Sequence, residues 1–342
     1  MLEKVDPSVL GLSEERLGRI TRWLELQVGE GKLAGASALV ARRGKIAYQQ
    51  CAGFADKEEG KVFAPETIVR IYSMTKPITT VAAMMLYEEG CFQLDDPVAK
   101  YLPEFETTPV WSGGDAPLSD VTTQRTPMLV KHLMNHTSGL TYGFMNSNPV
   151  DAQYREQAIE FQSRSESLAD ITKRLASIPL LCQPGSQWNY SVATDVLGRL
   201  VEVMSGMSLA DFFQQRIFAP LKMVDTGFSV PEQTQHRFAA LYAPKVGGDM
   251  SSVGGAATRV PQDQRGGLVL QEGSTQSVYF EAPGSHSGGG GLVGTIGDYA
   301  RFCQMLINEG ELDGERILAP STLRYMRTNQ LPDNSDMAGM GQ

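Results

Sequence analysis

The chain has 342 residues and a formal net charge of −9, with 42% hydrophobic and 20% charged residues. This length suffices for one large domain or two ordinary ones, and the composition is that of a folded globular protein rather than a disordered one. The acidic balance argues against a nucleic-acid partner, for which a basic surface would be expected.

Cysteine and histidine usage, and the start of the chain, set further limits. The chain has four cysteines, without a C-x-x-C pair, which predicts free thiols in a reducing compartment. H-E-x-x-H is absent, which argues against a zinc hydrolase. The sequence implies neither a metal nor an organic cofactor. No basic segment leads into an apolar one at the N-terminus, and no run approaches the ~18 apolar residues of a membrane span. We therefore expect a cytoplasmic protein.

The first predicted elements are a helix and two strands. Ser13 is a suitable N-cap, and apolar residues follow it at helical spacing from Leu17 to Val28, including Trp23 and Leu24. Residues 36–41 and 45–50 read as strands. The turn between them contains Gly44, which can adopt positive φ.

Farther along, the pattern becomes largely helical. Helices are predicted over residues 76–89, 128–135 and 297–306, over most of 153–218, and within that stretch over 195–204. Gly90 stops the first of these. Residues 94–126 read as irregular, 229–286 have no assignment, and 288–291 are four glycines. The coarse prediction is a mixed α/β protein.

The most informative motif is Ser73-Met74-Thr75-Lys76, at the start of the most apolar helix. Lys76 would lie one turn from Ser73 on the same face. The helix start favours negative charge, and the Ser73 backbone N–H can donate to an oxyanion. A lysine desolvated against the helix can accept or relay the serine proton. The simpler interpretation is that Ser73 caps the helix and Lys76 is solvated.

A second candidate is Tyr190, which ends the turn-rich loop 183–191 just before a helix. A phenol can act as a general base or proton relay beside ammonium groups. The alternative is an ordinary half-buried aromatic residue.

Several motifs in order make the chain resemble the class C β-lactamase-like branch of the β-lactamase/penicillin-binding-protein superfamily, and most closely its family VIII carboxylesterases. These motifs are Ser73-Met74-Thr75-Lys76-Pro77, the segment 94–104 (LDDPVAKYLPE), Leu133-Met134-Asn135-His136-Thr137-Ser138-Gly139-Leu140, Pro184-Gly185 with Tyr190-Ser191, and Gly288–Val293 with 298–302.

The resemblance implies roles for these residues. Ser73 is the acylated nucleophile, Lys76 its activator, and Tyr190 the base that also protonates the leaving group. The side chains expected to contact the substrate are Tyr72, Trp188 and Val192, together with Gly289. His136 is expected to be structural.

The resemblance also implies an α+β fold of the β-lactamase/transpeptidase type, with an antiparallel sheet flanked by helices and a mainly helical domain. We expect residues 1–72 and 292–342 to form the α/β region. Residues 73–291 would form the mainly helical region, which carries the nucleophile helix and the tyrosine loop.

The sequence departs from the family pattern at two places. Val192 stands where β-lactamases of this type have asparagine, which favours an esterase. The third family motif, K-T-G, H-x-G or W-G-G, is not found after the late helix, since His286-Ser287-Gly288 and Lys245-Val246-Gly247 precede the position expected for it. We therefore expect the C-terminal strands and the second oxyanion donor to be missing from this chain.

The function predicted is a serine carboxylesterase that acts on short-chain, small-molecule esters through an acyl-enzyme. The alternatives are an acyltransferase, a weak β-lactamase or a D-alanyl peptidase of the same fold. A catalytically impaired binding protein is the non-enzyme alternative. The sequence predicts no oligomeric state.

Overall fold

Short helices and strands follow one another along the described chain. The computed structural model describes residues 2–245 and 267–332. The α-helices are α1 (Glu14–Gly29), α2 (Thr75–Glu88), α3 (Val130–Met134), α4 (Pro149–Glu156), α5 (Leu168–Ala176), α6 (Ala193–Ser205), α7 (Leu209–Phe213), α8 (Ile296–Ile307) and α9 (Pro320–Met326). The strands are β1 (Gly35–Arg42), β2 (Lys45–Asp56), β3 (Lys61–Val62), β4 (Val69–Arg70), β5 (Val110–Trp111), β6 (Val121–Thr122), β7 (Leu241–Pro244), β8 (Leu268–Glu272), β9 (Val293–Gly294), β10 (Glu311–Leu312) and β11 (Glu315–Arg316).

Helix α1 begins as predicted but buries less of its apolar stripe than its spacing indicates. The Ser13 hydroxyl accepts a hydrogen bond from the Arg16 N–H, which satisfies one free donor of the first turn. Of the apolar residues in the stripe only Leu24 is buried, while Trp23 is 54% exposed.

The predicted pair of strands forms the longest hairpin of the described chain. β1 and β2 are antiparallel, with Ala38 opposite Gln50, and β3 adds a short third strand to β2. Arg43 and Gly44 both have positive φ, at 53° and 77°. This combination is typical of two-residue hairpin turns, because its twist matches that of the strands.

Helix α2 forms the centre of the larger core. Nine of its residues are buried, and Gly90, at φ 77°, follows its end as predicted. It packs against α6, whose buried face includes Val196, Leu197 and Leu200. A smaller cluster of apolar side chains contains Ile68, Val230, Phe238, Tyr279 and Val293.

Two distant parts of the chain meet just before Ser73. Strand β4 pairs antiparallel with β9, and the Ile71 N–H donates to the Leu292 carbonyl at 3.0 Å. The segment that leads into the nucleophile candidate is thereby tied to the end of the glycine run 288–291.

Most of the other predicted elements are confirmed. The predicted helices near 128–135, 195–204 and 297–306 correspond to α3, α6 and α8. A little over half of the stretch 153–218 is helical, with loops at 157–167, 177–192 and 206–208. The unassigned stretch contains the antiparallel pair β7–β8.

Three predictions lie partly or wholly outside this comparison. Residues 246–247 of the K-x-G look-alike, and residues 333–342 of the predicted α/β region 292–342, lie outside the described residues. The division into two regions stays a prediction. Within residues 2–245 and 267–332, no helix combines the length and the apolar character needed to cross a bilayer.

Candidate active site

Ser73 lies in a single 3₁₀ turn, Tyr72–Met74, that leads directly into α2. Tyr72, the residue before it, has φ 43°, in the left-handed region that residues with a Cβ rarely adopt. The turn leaves the Ser73 side chain exposed. A strained backbone therefore presents the serine at the surface rather than within the helix.

The three predicted catalytic side chains meet at one point. Ser73 Oγ lies 2.6 Å from the Tyr190 hydroxyl oxygen, and Lys76 Nζ lies 3.1 Å from Ser73 Oγ. Both distances lie within the range of about 2.6–3.2 Å that direct proton transfer requires. The structure thus brings the S-x-x-K motif and the tyrosine loop, 117 residues apart, into contact.

Lys76 is held by two further acceptors. Its Nζ donates to the Gly289 carbonyl at 2.6 Å and to the Tyr142 hydroxyl at 3.1 Å. With Ser73, these acceptors match the three N–H groups of an ammonium. Nζ also lies 4.7 Å from the centre of the Tyr190 ring, a cation–π contact. The side chain is therefore directed at Ser73 rather than into solvent.

Tyr142 is a site residue that the sequence patterns did not indicate. Burial raises the pKa of its phenol well above the ordinary value, and the nearby charge of Asp195 acts in the same direction. The ring stacks on Phe144, with centroids 4.6 Å apart. Tyr142 is thus a neutral, fixed partner of Lys76. Its only sequence signal is its place two residues after the H-T-S-G-L marker.

Aromatic rings surround Tyr190. Its ring centroid lies 5.0 Å from that of His136, 5.2 Å from that of Tyr142 and 6.2 Å from that of Trp188. These contacts fix the plane of the ring, and with it the direction of the hydroxyl group.

His136 contacts Tyr190 but makes no hydrogen bond with Ser73 in the described part of the chain. Its Nδ1 lies 3.2 Å from Ser191 Oγ, and its φ is 57°. Burial, together with the nearby charge of Lys76, lowers the pKa of His136 to about 4. The ring is therefore neutral at pH 7, and the expected structural role stays a prediction.

The four expected substrate contacts differ in exposure. Tyr72 is 43% exposed beside Ser73, and Trp188 is half-buried beside Tyr190. Val192 is only 3% exposed and packs in the larger core, while Gly289 is buried. Their roles in substrate binding stay predictions.

The backbone around Ser73 is suited to an anionic intermediate. Among the described residues, none accepts a hydrogen bond from the Ser73 N–H. This N–H lies just ahead of the first residue of α2, where helix dipoles favour negative charge.

Over the described ranges, no group of three or more His, Cys, Asp or Glu residues could hold a metal ion.

Comparison with known proteins identifies the family. The family described as Beta-lactamase matches residues 20–342. Protein Rv1367c of Mycobacterium tuberculosis is 35% identical over 304 residues, covering 89% of this chain and 69% of that protein. Esterase EstB of Burkholderia gladioli is 33% identical over 305 residues, covering 88% of this chain and 73% of that protein.

A solved structure agrees with these matches. The structure of "EstCE1, a hydrolase with promiscuous acyltransferase activity" superposes with a TM-score of 0.70 at 30% identity, and it covers 92% of this chain and 77% of that one. The resemblance drawn from the motifs is thereby confirmed. The chain belongs to the beta-lactamase family and has its β-lactamase/transpeptidase-like fold, with mixed helices and small antiparallel sheets.

Proposed function

We propose that this chain is a serine carboxylesterase that cleaves short-chain carboxylic esters through an acyl-enzyme on Ser73. One observation carries the proposal: Ser73 Oγ lies within 2.6 Å of the Tyr190 hydroxyl and 3.1 Å of Lys76 Nζ. A serine hydroxyl is a weak nucleophile unless a neighbouring base takes its proton. The likeness to Esterase EstB supports an ester as the substrate.

In the acylation step, Ser73 Oγ forms a bond to the carbonyl carbon and its one proton passes to the Tyr190 oxygen, which acts as the base beside the Lys76 ammonium. The carbonyl oxygen becomes an oxyanion, to which the Ser73 N–H donates. The bond between the carbonyl carbon and the alcohol oxygen then breaks. Tyr190 returns the proton to the leaving alcohol, so that charge and protons balance.

In the second step, water attacks the acyl carbon and gives one of its two protons to Tyr190. The bond to Ser73 Oγ breaks, the proton returns to that oxygen, and the carboxylic acid leaves. Because Ser73 is exposed, water reaches the acyl group without a change in the fold. Neither a metal nor an organic cofactor takes part in this scheme.

Acyl transfer to an alcohol is the second candidate. The same acyl-enzyme would react with an alcohol in place of water, and the exposed Ser73 leaves room for such an acceptor. The likeness to EstCE1, described as a hydrolase with promiscuous acyltransferase activity, favours this candidate. Addition of a primary alcohol to the ester assay, with mass spectrometry of the products, measures the ratio of transfer to hydrolysis.

Efficient β-lactam or peptide turnover is a weaker candidate. Val192 has an apolar side chain that is 3% exposed, so it offers no amide to hydrogen-bond such substrates.

The cytoplasmic location and the lack of a nucleic-acid partner stay predictions from the sequence.

The test is hydrolysis of p-nitrophenyl butyrate by the wild type and by Ser73→Ala. The control is Ser167→Ala, which removes a serine that caps α5. Activity in the wild type and the control, lost in Ser73→Ala, supports the proposal. Equal activity in all three refutes it. A fluorophosphonate probe that fails to label Ser73 would support the binding-protein alternative instead.

A further inference from the structure

The shortest hydrogen bond of Lys76 goes to a backbone atom far along the chain. The Gly289 carbonyl accepts it at 2.6 Å, although the two residues are 213 positions apart. A carbonyl in a glycine run has little intrinsic rigidity, because glycine restricts the backbone least. Other contacts must therefore keep Gly289 in place.

Asp195, in the first turn of α6, supplies the principal contact. Its Oδ1 accepts hydrogen bonds from the Gly289 N–H at 2.9 Å and from Ser287 Oγ at 2.5 Å. Ser287 Oγ in turn accepts from the Gly290 N–H at 3.0 Å. One carboxylate oxygen thus anchors the glycine run at the residue that contacts Lys76.

Burial of the Asp195 carboxylate is by itself unfavourable for folding. Asp195 is 2% exposed, and burial raises the pKa of its carboxyl group, while the Ser287 and Gly289 hydrogen bonds and the charge of Lys76 act in the opposite direction. A buried acid destabilises a fold unless such partners compensate for the lost hydration. Asparagine or an apolar residue would fill this position at a lower cost.

The glycine run is shaped to receive this carboxylate. A Cβ added at Gly289 would lie 2.3 Å from Asp195 Oδ2, well inside the shortest contact that real Cβ atoms make. At the neighbouring Gly288, a Cβ would lie 2.8 Å from the Thr194 carbonyl oxygen. The absence of side chains therefore lets the backbone approach α6 closely enough for Asp195 to hold it.

We propose that Asp195 is a positioning residue of the active site, which holds Gly289 so that its carbonyl keeps Lys76 directed at Ser73. This inference rests on the proposed function, since it concerns the nucleophile that function requires. Asp195 does not touch Ser73 and acts through Gly289 and Lys76. The geometry needs the hydrogen-bond acceptor at Oδ1, which asparagine retains and alanine removes.

The test is the rate of covalent labelling of Ser73 by a fluorophosphonate, separated into the maximal rate kinact and the binding constant KI. Asp195→Ala is expected to lower kinact by about 10- to 150-fold, the range for loss of a hydrogen bond to a charged group. KI should stay unchanged, because Asp195 does not contact the probe. Asp195→Asn should lower kinact by a smaller factor than Asp195→Ala.

Asp56→Asn is the matched control. Asp56 is also buried, at 1% exposure, and accepts a distant backbone N–H, that of Ser274, at 3.0 Å. None of its hydrogen-bond partners in the described chain belongs to the site. Its labelling should match the wild type. A loss of kinact shared by this control, or equal losses in Asp195→Ala and Asp195→Asn, would overturn the inference.

Two outcomes separate this inference from the function on which it rests. A wild type that is not labelled at Ser73 refutes both, whereas a wild type and an Asp195→Ala variant labelled at one rate refute only the role of Asp195. If Asp195→Ala does not fold, Ser287→Ala decides. A fall in kinact of about 2- to 10-fold supports the inference, and an unchanged kinact overturns it.

Discussion

Replacement of Tyr190 by phenylalanine isolates the contribution of one hydroxyl group. The ring contacts with His136, Tyr142 and Trp188 do not involve that hydroxyl and are retained. A positioned acid or base contributes about 10²–10⁴-fold to a rate. Because Lys76 Nζ remains 3.1 Å from Ser73 Oγ and its positive charge still favours loss of the serine proton to water, we expect a fall of about 10²- to 10³-fold in kcat, or about 2.7–4.1 kcal/mol.

Steady-state hydrolysis of p-nitrophenyl butyrate measures this loss, with thermal unfolding as the check on folding. KM should change little, because the hydroxyl contacts Ser73 rather than the substrate. The control is Tyr101→Phe, which removes a hydrogen bond of the same length, 2.6 Å, from Tyr101 to Asp96. If Tyr190→Phe keeps more than about a third of the wild-type kcat, the assignment of Tyr190 as proton relay is wrong.

Three further perturbations follow from the same contacts. Tyr142→Phe removes one acceptor of Lys76 and should lower kcat by about 10-fold or more in the ester assay. Gly289→Ala forces the backbone away from Asp195, so fluorophosphonate labelling should slow on the order of 10²-fold. Burial lowers the pKa of His132 to about 4, against about 6.5 in the unfolded chain. The unfolded chain therefore binds the proton first as the pH falls, and stability is lost between pH 6.5 and 4. By pH 5, urea unfolding of the wild type should therefore show a loss of stability about 2 kcal/mol larger than that of His132→Gln.

The sequence predicted the features that depend on neighbouring residues. The cap at Ser13, the turn at Gly44 and the end of the nucleophile helix at Gly90 each follow from local conformational preferences. The spacing of Ser73 and Lys76 likewise fixes their relation, because three residues are about one helical turn.

Features that depend on contacts between distant residues were harder to predict from the sequence. The apolar spacing of α1 predicted a buried stripe, yet Trp23 is 54% exposed, because periodicity does not show how much of a helix face a neighbour covers. The pair β7–β8 has no signal in its Gly- and Ser-rich surroundings. Tyr142 looks like any aromatic residue until the fold places its hydroxyl 3.1 Å from Lys76.

The surroundings of Lys76 show why such a site is only half visible in a sequence. The motif supplies the amine and one acceptor, Ser73, but the two acceptors that aim the amine come from a loop and a glycine run elsewhere in the chain. A free lysine side chain has several rotatable bonds, and fixing it costs up to about 2 kcal/mol of entropy. If Asp195 holds Gly289 as proposed, a carboxylate in the core, which does not contact the substrate, offsets this loss of entropy. A chain could then keep its S-x-x-K motif and its tyrosine and still lose its reactive serine through a change at position 195 or 289.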